Sequence, residues 1–145
     1  MRTSVFVASA VVLVFQAAYL KARDCRLTDE QFFKQLSTMN DWRSIYAVFK
    51  QNLPACPDDG SFAEGYTEVI VVALANRWPE LQDLENLVAR DGTFRQFVYR
   101  HIDATADIKD LRRVLSNAKT KCPTRSTQLC KDIATRAQSA IAQHP

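Results

Sequence analysis

Glycine and histidine are scarce here: only 3 glycines and 2 histidines occur in 145 residues. So few glycines leave no phosphate-cradling loop and no G-x-S-x-G nucleophile turn, although serine and threonine are plentiful. Histidine poverty works against metal chemistry. His101 has no second histidine or acid four residues on, His144 stands beside the terminus, and the cysteines lack C-x-x-C spacing. With 5 prolines and no Gly-rich, Ser-rich or charge-block stretch, nothing reads as a linker between domains. A large net charge is missing too. The formal +3 includes Arg2 and Lys21; setting these aside leaves 17 basic against 16 acidic residues, which removes the case for nucleic acid.

What is present begins at the N-terminus. Arg2 precedes an almost unbroken apolar run from Ser4 to Leu20, and polar residues resume at Lys21, the layout of a secretory signal over residues 1–22. Ala22, with Leu20 at the minus-three position, is the first choice of exit, and Ala18 the next. The alternative is an uncleaved anchor, since 17 apolar residues lie at the short limit for a span, and this is the only membrane contact expected. A lipoprotein is disfavoured, because Ala22, Arg23 and Asp24 precede Cys25 where small uncharged neighbours are wanted. Residues 23–145 then form a single exported domain, periplasmic or extracellular. At 47% hydrophobic residues the chain as a whole is rich enough in apolar side chains to bury a core.

The exported domain reads as helical nearly throughout. Thr28 with Gln31, Ser61 with Glu64, and Thr93 with Gln96 have capping-box spacing, so each is expected to open a helix. Phe32, Phe33, Leu36 and Met39 mark the first helix, and Trp42, Ile45, Tyr46, Phe49 and Leu53 a second that Pro54 stops. Val69 to Ala75 is continuously apolar and suits either a buried strand or a wrapped helix. The helix is preferred because no partner strand exists elsewhere. Gly65 inside it costs about 1 kcal/mol relative to alanine, which points to another helix approaching closely there. A fourth helix is expected from Pro79, a fifth from Thr93 carrying Phe94, Phe97, Val98, His101 and Ile102, a sixth capped by Asp103 or Thr105, and a seventh carrying Leu129, Cys130, Ile133, Ala137 and Ile141.

The expected fold class is therefore all-α: a compact bundle of six or seven short antiparallel helices stapled by two disulfides. Four cysteines allow three pairings. Folding the first two helices back on each other joins Cys25 with Cys56, and Cys122 and Cys130 flank the final turn.

No residue constellation carries a recognisable chemistry, and no cofactor or metal is implied. His101 falls on an apolar stripe, the position of a satisfied core histidine. Glu64 and Glu68 share a helix face, but glycosidase chemistry needs its two carboxyls across a cleft. Asp58, Asp59 and Gly60 supply too few ligands for calcium and read as a turn before a helix. The leading functional expectation is a non-catalytic protein-binding module, such as an inhibitor, immunity or accessory factor. A carrier of a small apolar ligand or lipid comes second, and a cell-envelope hydrolase third. Charge divides along the chain: residues 58–91 hold eight acids against Arg77 and Arg90, and residues 109–145 hold eight bases against Asp110 and Asp132. These segments are expected first to complement each other's rims. The lesser reading makes Glu64, Glu68, Glu80 and Asp83 a docking face for a basic protein in the same compartment.

Overall fold

The structure is a computed structural model and describes residues 25–53 and 55–144. The expected signal segment and Pro54 lie outside the described residues. Among the described residues seven α-helices follow in order: α1 (Asp29–Leu36), α2 (Trp42–Asn52), α3 (Gly60–Asn76), α4 (Leu81–Arg90), α5 (Gly92–Arg100), α6 (Ile108–Thr120) and α7 (Thr127–Gln143), with 3-10 turns at Trp78–Glu80 and Thr124–Ser126. Among the described residues there is no strand, so the apolar run from Val69 to Ala75 is helical. Its wrapping explains its composition: Phe62, Tyr66, Ile70, Val71, Ala73, Leu74 and Ala75 are all buried.

Helix α3 is the central element. α6 packs on it and α7 packs on α6, while α4 pairs with both α5 and α2. α1 lies beside α3 in the same direction, since Asp29 meets Ser61 at one end while Leu36 and Met39 reach Val69, Val72 and Asn76 at the other. Gly65 makes that approach possible. A Cβ there would stand 2.7 Å from the Phe32 ring and 2.8 Å from Leu36 Cδ1. An aromatic core joins the layers: Phe32 stacks on Phe62 with centroids 4.3 Å apart, and Tyr66, Phe97, Phe49 and Phe94 continue the chain of ring contacts.

Two disulfides close the termini of the bundle, Cys25–Cys56 and Cys122–Cys130, in the expected pairing. They point to an oxidising, exported compartment. No helix of the described residues is long and apolar enough to cross a membrane.

Four helix starts differ from the sequence expectation. Thr28 and Gln31 do form a capping box on α1, and Asp41 forms one with Ser44 on α2. Ser61, by contrast, is already inside α3, whose N-cap is Asp59, and its hydroxyl donates to Asp29. The turn at Gly60 adopts φ +52°, which only glycine takes without strain, and this moves the helix start upstream of Ser61. Asp91 displaces Thr93 as the cap of α5, because its carboxylate accepts from the Thr93 and Phe94 N–H groups and holds the stronger acceptor. Asp107 caps α6 in place of Asp103 or Thr105, since Asp103 is used by the preceding turn at Thr105. Pro79 falls in the 3-10 turn ahead of α4 instead of opening α4 itself.

Candidate functional site

His101 ends α5 and is buried, with its ring 4.5 Å from Phe97 and 5.6 Å from Tyr66, as a core histidine should be. Its two nitrogens meet partners from different parts of the chain. Nδ1 lies 3.1 Å from the Thr67 hydroxyl of α3, which also donates to Asp103 Oδ2 at 3.0 Å. Nε2 lies 3.0 Å from Asp58 Oδ1, and Arg100 pairs with the other oxygen of the same carboxylate. The Asp58–His101 approach is close but poorly aligned, so it is a short polar contact and not a hydrogen bond. Asp58 comes within reach because it follows Cys56 by two residues, and the Cys25–Cys56 bridge fixes that loop.

A hydroxyl, an imidazole and a carboxylate in series have the connectivity of a catalytic triad. Thr67 and His101 are each 1% exposed, neither lines the α1–α3 or the α2–α5 groove, and the Thr67 hydroxyl donates to Asp103. A general base must come within hydrogen-bond reach of its substrate, so the cluster acts as a clamp between α3, α5 and the disulfide loop. Asp58 reads from the sequence as a turn residue, yet it meets His101 directly, while Asp103 is linked to His101 through Thr67 and Arg100 through Asp58. The available signal was the burial itself, since an apolar-stripe histidine needs polar partners and an acid next to a bridged cysteine is held in place to supply one.

A second cluster centres on Asp91. Besides capping α5 it accepts from Tyr46 Oη at 3.0 Å and Lys50 Nζ at 3.2 Å, which ties α2 to α5. The Thr93 hydroxyl, then the Phe94 N–H, with help from Lys50 and Tyr46, holds the Asp91 carboxyl well below the usual carboxylate range. Tyr99 plays a similar part between α5 and α7. Its phenol donates to Asp132 at 2.9 Å under the Arg136 guanidinium, and burial first, then Asp132, pushes its pKa up.

Of the four acids proposed as a docking face, Glu64, Glu68 and Asp83 are exposed and Glu80 is half-buried. Glu64 and Glu68 lie one turn apart on the open stripe of α3 that continues through Val72 to Asn76, while Glu80 and Asp83 stand past the end of that helix at the start of α4. Among the described residues Glu64, Glu68 and Glu80 enter no ion pair, and Asp83 faces only Arg43 at 3.9 Å. Among the described residues no ion pair joins segment 58–91 to segment 109–145, so the expected complementing of their rims is not made by salt bridges. They do pack, but without an ion pair: Asn117 donates to the Leu74 and Ala75 carbonyls, and Arg113 donates to Asn76. The segments touch along their apolar faces, which leaves Glu64 and Glu68 toward solvent.

Two of the surface grooves bear on these residues. One of about 380 Å³ follows the α1–α3 seam past Leu36, Met39, Val69 and Val72, with Glu68 and Arg77 also on its walls. The other, of about 460 Å³, runs between α2 and α5 past Phe49, Leu53, Phe97, Lys50 and Arg100. The core aromatics pack against one another, and Phe49 and Phe97 also line the α2–α5 groove. Among the described residues no three His, Cys, Asp or Glu side chains are placed to hold a metal ion.

The fold and these surfaces define a class: an all-helical, disulfide-stapled domain with an acidic helix face. No protein-family model matches the chain, and neither a curated protein nor a solved structure is significantly similar to it.

Proposed function

We propose that this chain is an exported, non-catalytic protein-binding module, an inhibitor, immunity or accessory factor working in the periplasm or outside the cell. Its partner is a basic protein of the same compartment, and the docking face is Glu64, Glu68, Glu80 and Asp83. One observation carries the reading: Glu64, Glu68 and Glu80 take part in no ion pair among the described residues. Glu64 is also spared the capping role that Ser61 would have given it, because Asp59 occupies the N-cap. A cluster of like charge left without internal partners steers association with an opposite surface and adds little to folding. A carrier would need an enclosed cavity where the aromatic rings pack together, and an enzyme would need the buried His101 cluster to meet substrate.

The test reverses all four acids to lysine and reads two quantities on one variant. Association with a basic partner captured from the native cell envelope should slow, and added salt should reproduce the effect on the unmodified protein. The melting temperature should hold, since the only ion pair lost, Arg43–Asp83, has side chains 79% and 51% exposed. A lowered melting temperature with association unchanged would refute the docking reading.

A further inference from the structure

We propose that the α1–α3 seam seats a basic amphipathic helix contributed by the partner, an inference that rests on the acidic-face reading above. Phe33 is the starting observation. It is 52% exposed, the one large hydrophobic side chain so placed among the described residues. Its neighbour Phe32 is wholly buried against Phe62 and Tyr66, whereas the Phe33 ring touches the edge of that cluster at Phe32, with centroids 6.0 Å apart, and leaves half its surface open.

The position of Phe33 around α1 gives it a direction. Gln35, on one flank, accepts from Asn52 of α2, and Leu36, on the face toward α3, reaches Gly65. Phe33 lies beyond Leu36 on the flank away from α2, which is the open side of the seam. Glu64 and Glu68 stand on that same open side of α3, directly before and three residues after Gly65. The groove thus offers an apolar trough of Leu36, Met39, Val69 and Val72, with Glu68 on one wall and Arg77 at its far end, while Glu64 stands one turn before Glu68 and the exposed Phe33 ring lies outside the groove, one turn before Leu36.

That pattern fits the helix-in-groove mode of recognition, in which side chains at i, i+3, i+4 and i+7 enter the trough and the flanking positions meet the rim. From Glu64 to Asn76 the wall runs about 18 Å, room for roughly three turns of a second helix. Lysine or arginine on the flank of that helix would lie against Glu64 and Glu68. Anionic membrane is disfavoured by the same acids, which repel its surface charge.

The experiment uses three synthetic helical peptides of roughly 14 residues: one of leucine and lysine with leucine on one face, one of lysine and glutamine, and one of leucine and glutamate. The Leu/Lys peptide should bind saturably and about tenfold more tightly than Lys/Gln, and Leu/Glu should not bind. Phe33→Ser and Val72→Ser should each weaken Leu/Lys binding about tenfold, within the range of an interface anchor, with the melting temperature of Phe33→Ser unchanged. If Leu/Lys binds no better than Lys/Gln, or ignores Phe33→Ser, the groove is not the seat; the acidic-face reading then survives only if Lys/Gln binding is lost in a Glu64→Lys, Glu68→Lys variant. Failure of both cationic peptides to bind overturns both. Saturable binding to vesicles of anionic lipid, or a Phe33-dependent dimer in sedimentation, also overturns the proposal by assigning the groove another occupant.

Discussion

Asp91 is the residue whose replacement should reveal most about what holds the helices in register. Its side chain is 13% exposed, caps α5 through two N–H groups, and accepts from Tyr46 and Lys50 of α2. Losing the cap costs about 1 kcal/mol. The Tyr46 hydroxyl loses a charged acceptor, a change worth about 1.5 to 3 kcal/mol. The Lys50 pair adds about 0 to 1 kcal/mol, because its ammonium side is 55% exposed. Since these terms share one carboxylate they overlap, and Asp91→Ala should destabilise by about 2 to 4 kcal/mol in urea unfolding, with the m-value unchanged. Asp91→Asn keeps an oxygen for the cap and loses only the charge, so its cost should be about half as large or less. The pH dependence has a definite sign. The folded carboxyl is held below the ordinary range, whereas the unfolded one titrates near about 3.9. Its contribution is therefore complete above that unfolded value and declines as the pH falls through the folded one. The stability gap between the natural protein and Asp91→Asn should be constant from neutrality to mild acid and shrink below about pH 4. An Asp91→Ala cost under about 0.5 kcal/mol, the range of an ordinary surface change, or a gap that ignores acid, would refute this account.

Gly65→Ala gains about 1 kcal/mol of helix propensity but drives a Cβ against the fixed Phe32 ring, a strain of about 1 to 3 kcal/mol, so the melting temperature should fall; a rise would mean that α1 can move off α3. His101→Ala opens a cavity and strips a buried carboxylate of one partner, and should cost about 3 kcal/mol in chemical denaturation, with Arg100 limiting the loss; a cost below about 1 kcal/mol would show that Asp58 reaches water. Replacing Cys25 and Cys56 by alanine releases a separation of 31 residues, against 8 for Cys122 and Cys130. Loop entropy then predicts about 3.7 against about 2.5 kcal/mol. The reverse order in calorimetry would show that the bridges act mainly through the folded state.

Much of this molecule is written locally, in spacing and residue type. Period and caps mark the helices, the run from Val69 to Ala75 announces a wrapped segment, Gly65 signals a close approach, and the pairing of Cys25 with Cys56 and of Cys122 with Cys130 follows from short connections. These features involve residues near one another in sequence, where geometry leaves few choices. The caps of α3, α5 and α6 were misread because several hydroxyls and carboxylates within a few residues could each serve, and the winner depended on what else they met. Asp59 prevailed at a glycine turn, while Ser61 was drawn to Asp29 of another helix.

Only the tertiary structure decided the rest. No spacing rule brings Asp58 to His101, 43 positions away, or Tyr46 to Asp91, because those meetings depend on how the helices stack. The same stacking determined that α3 and α6 meet through Asn117 and apolar side chains, so that Glu64 and Glu68 face solvent. Sequence tells how much charge and apolar surface a helix carries and on which of its faces. Which face is covered by a neighbour, and which is left open beside Phe33, is a property of packing, since each helix can bury its stripe against several partners and the compact arrangement selects one.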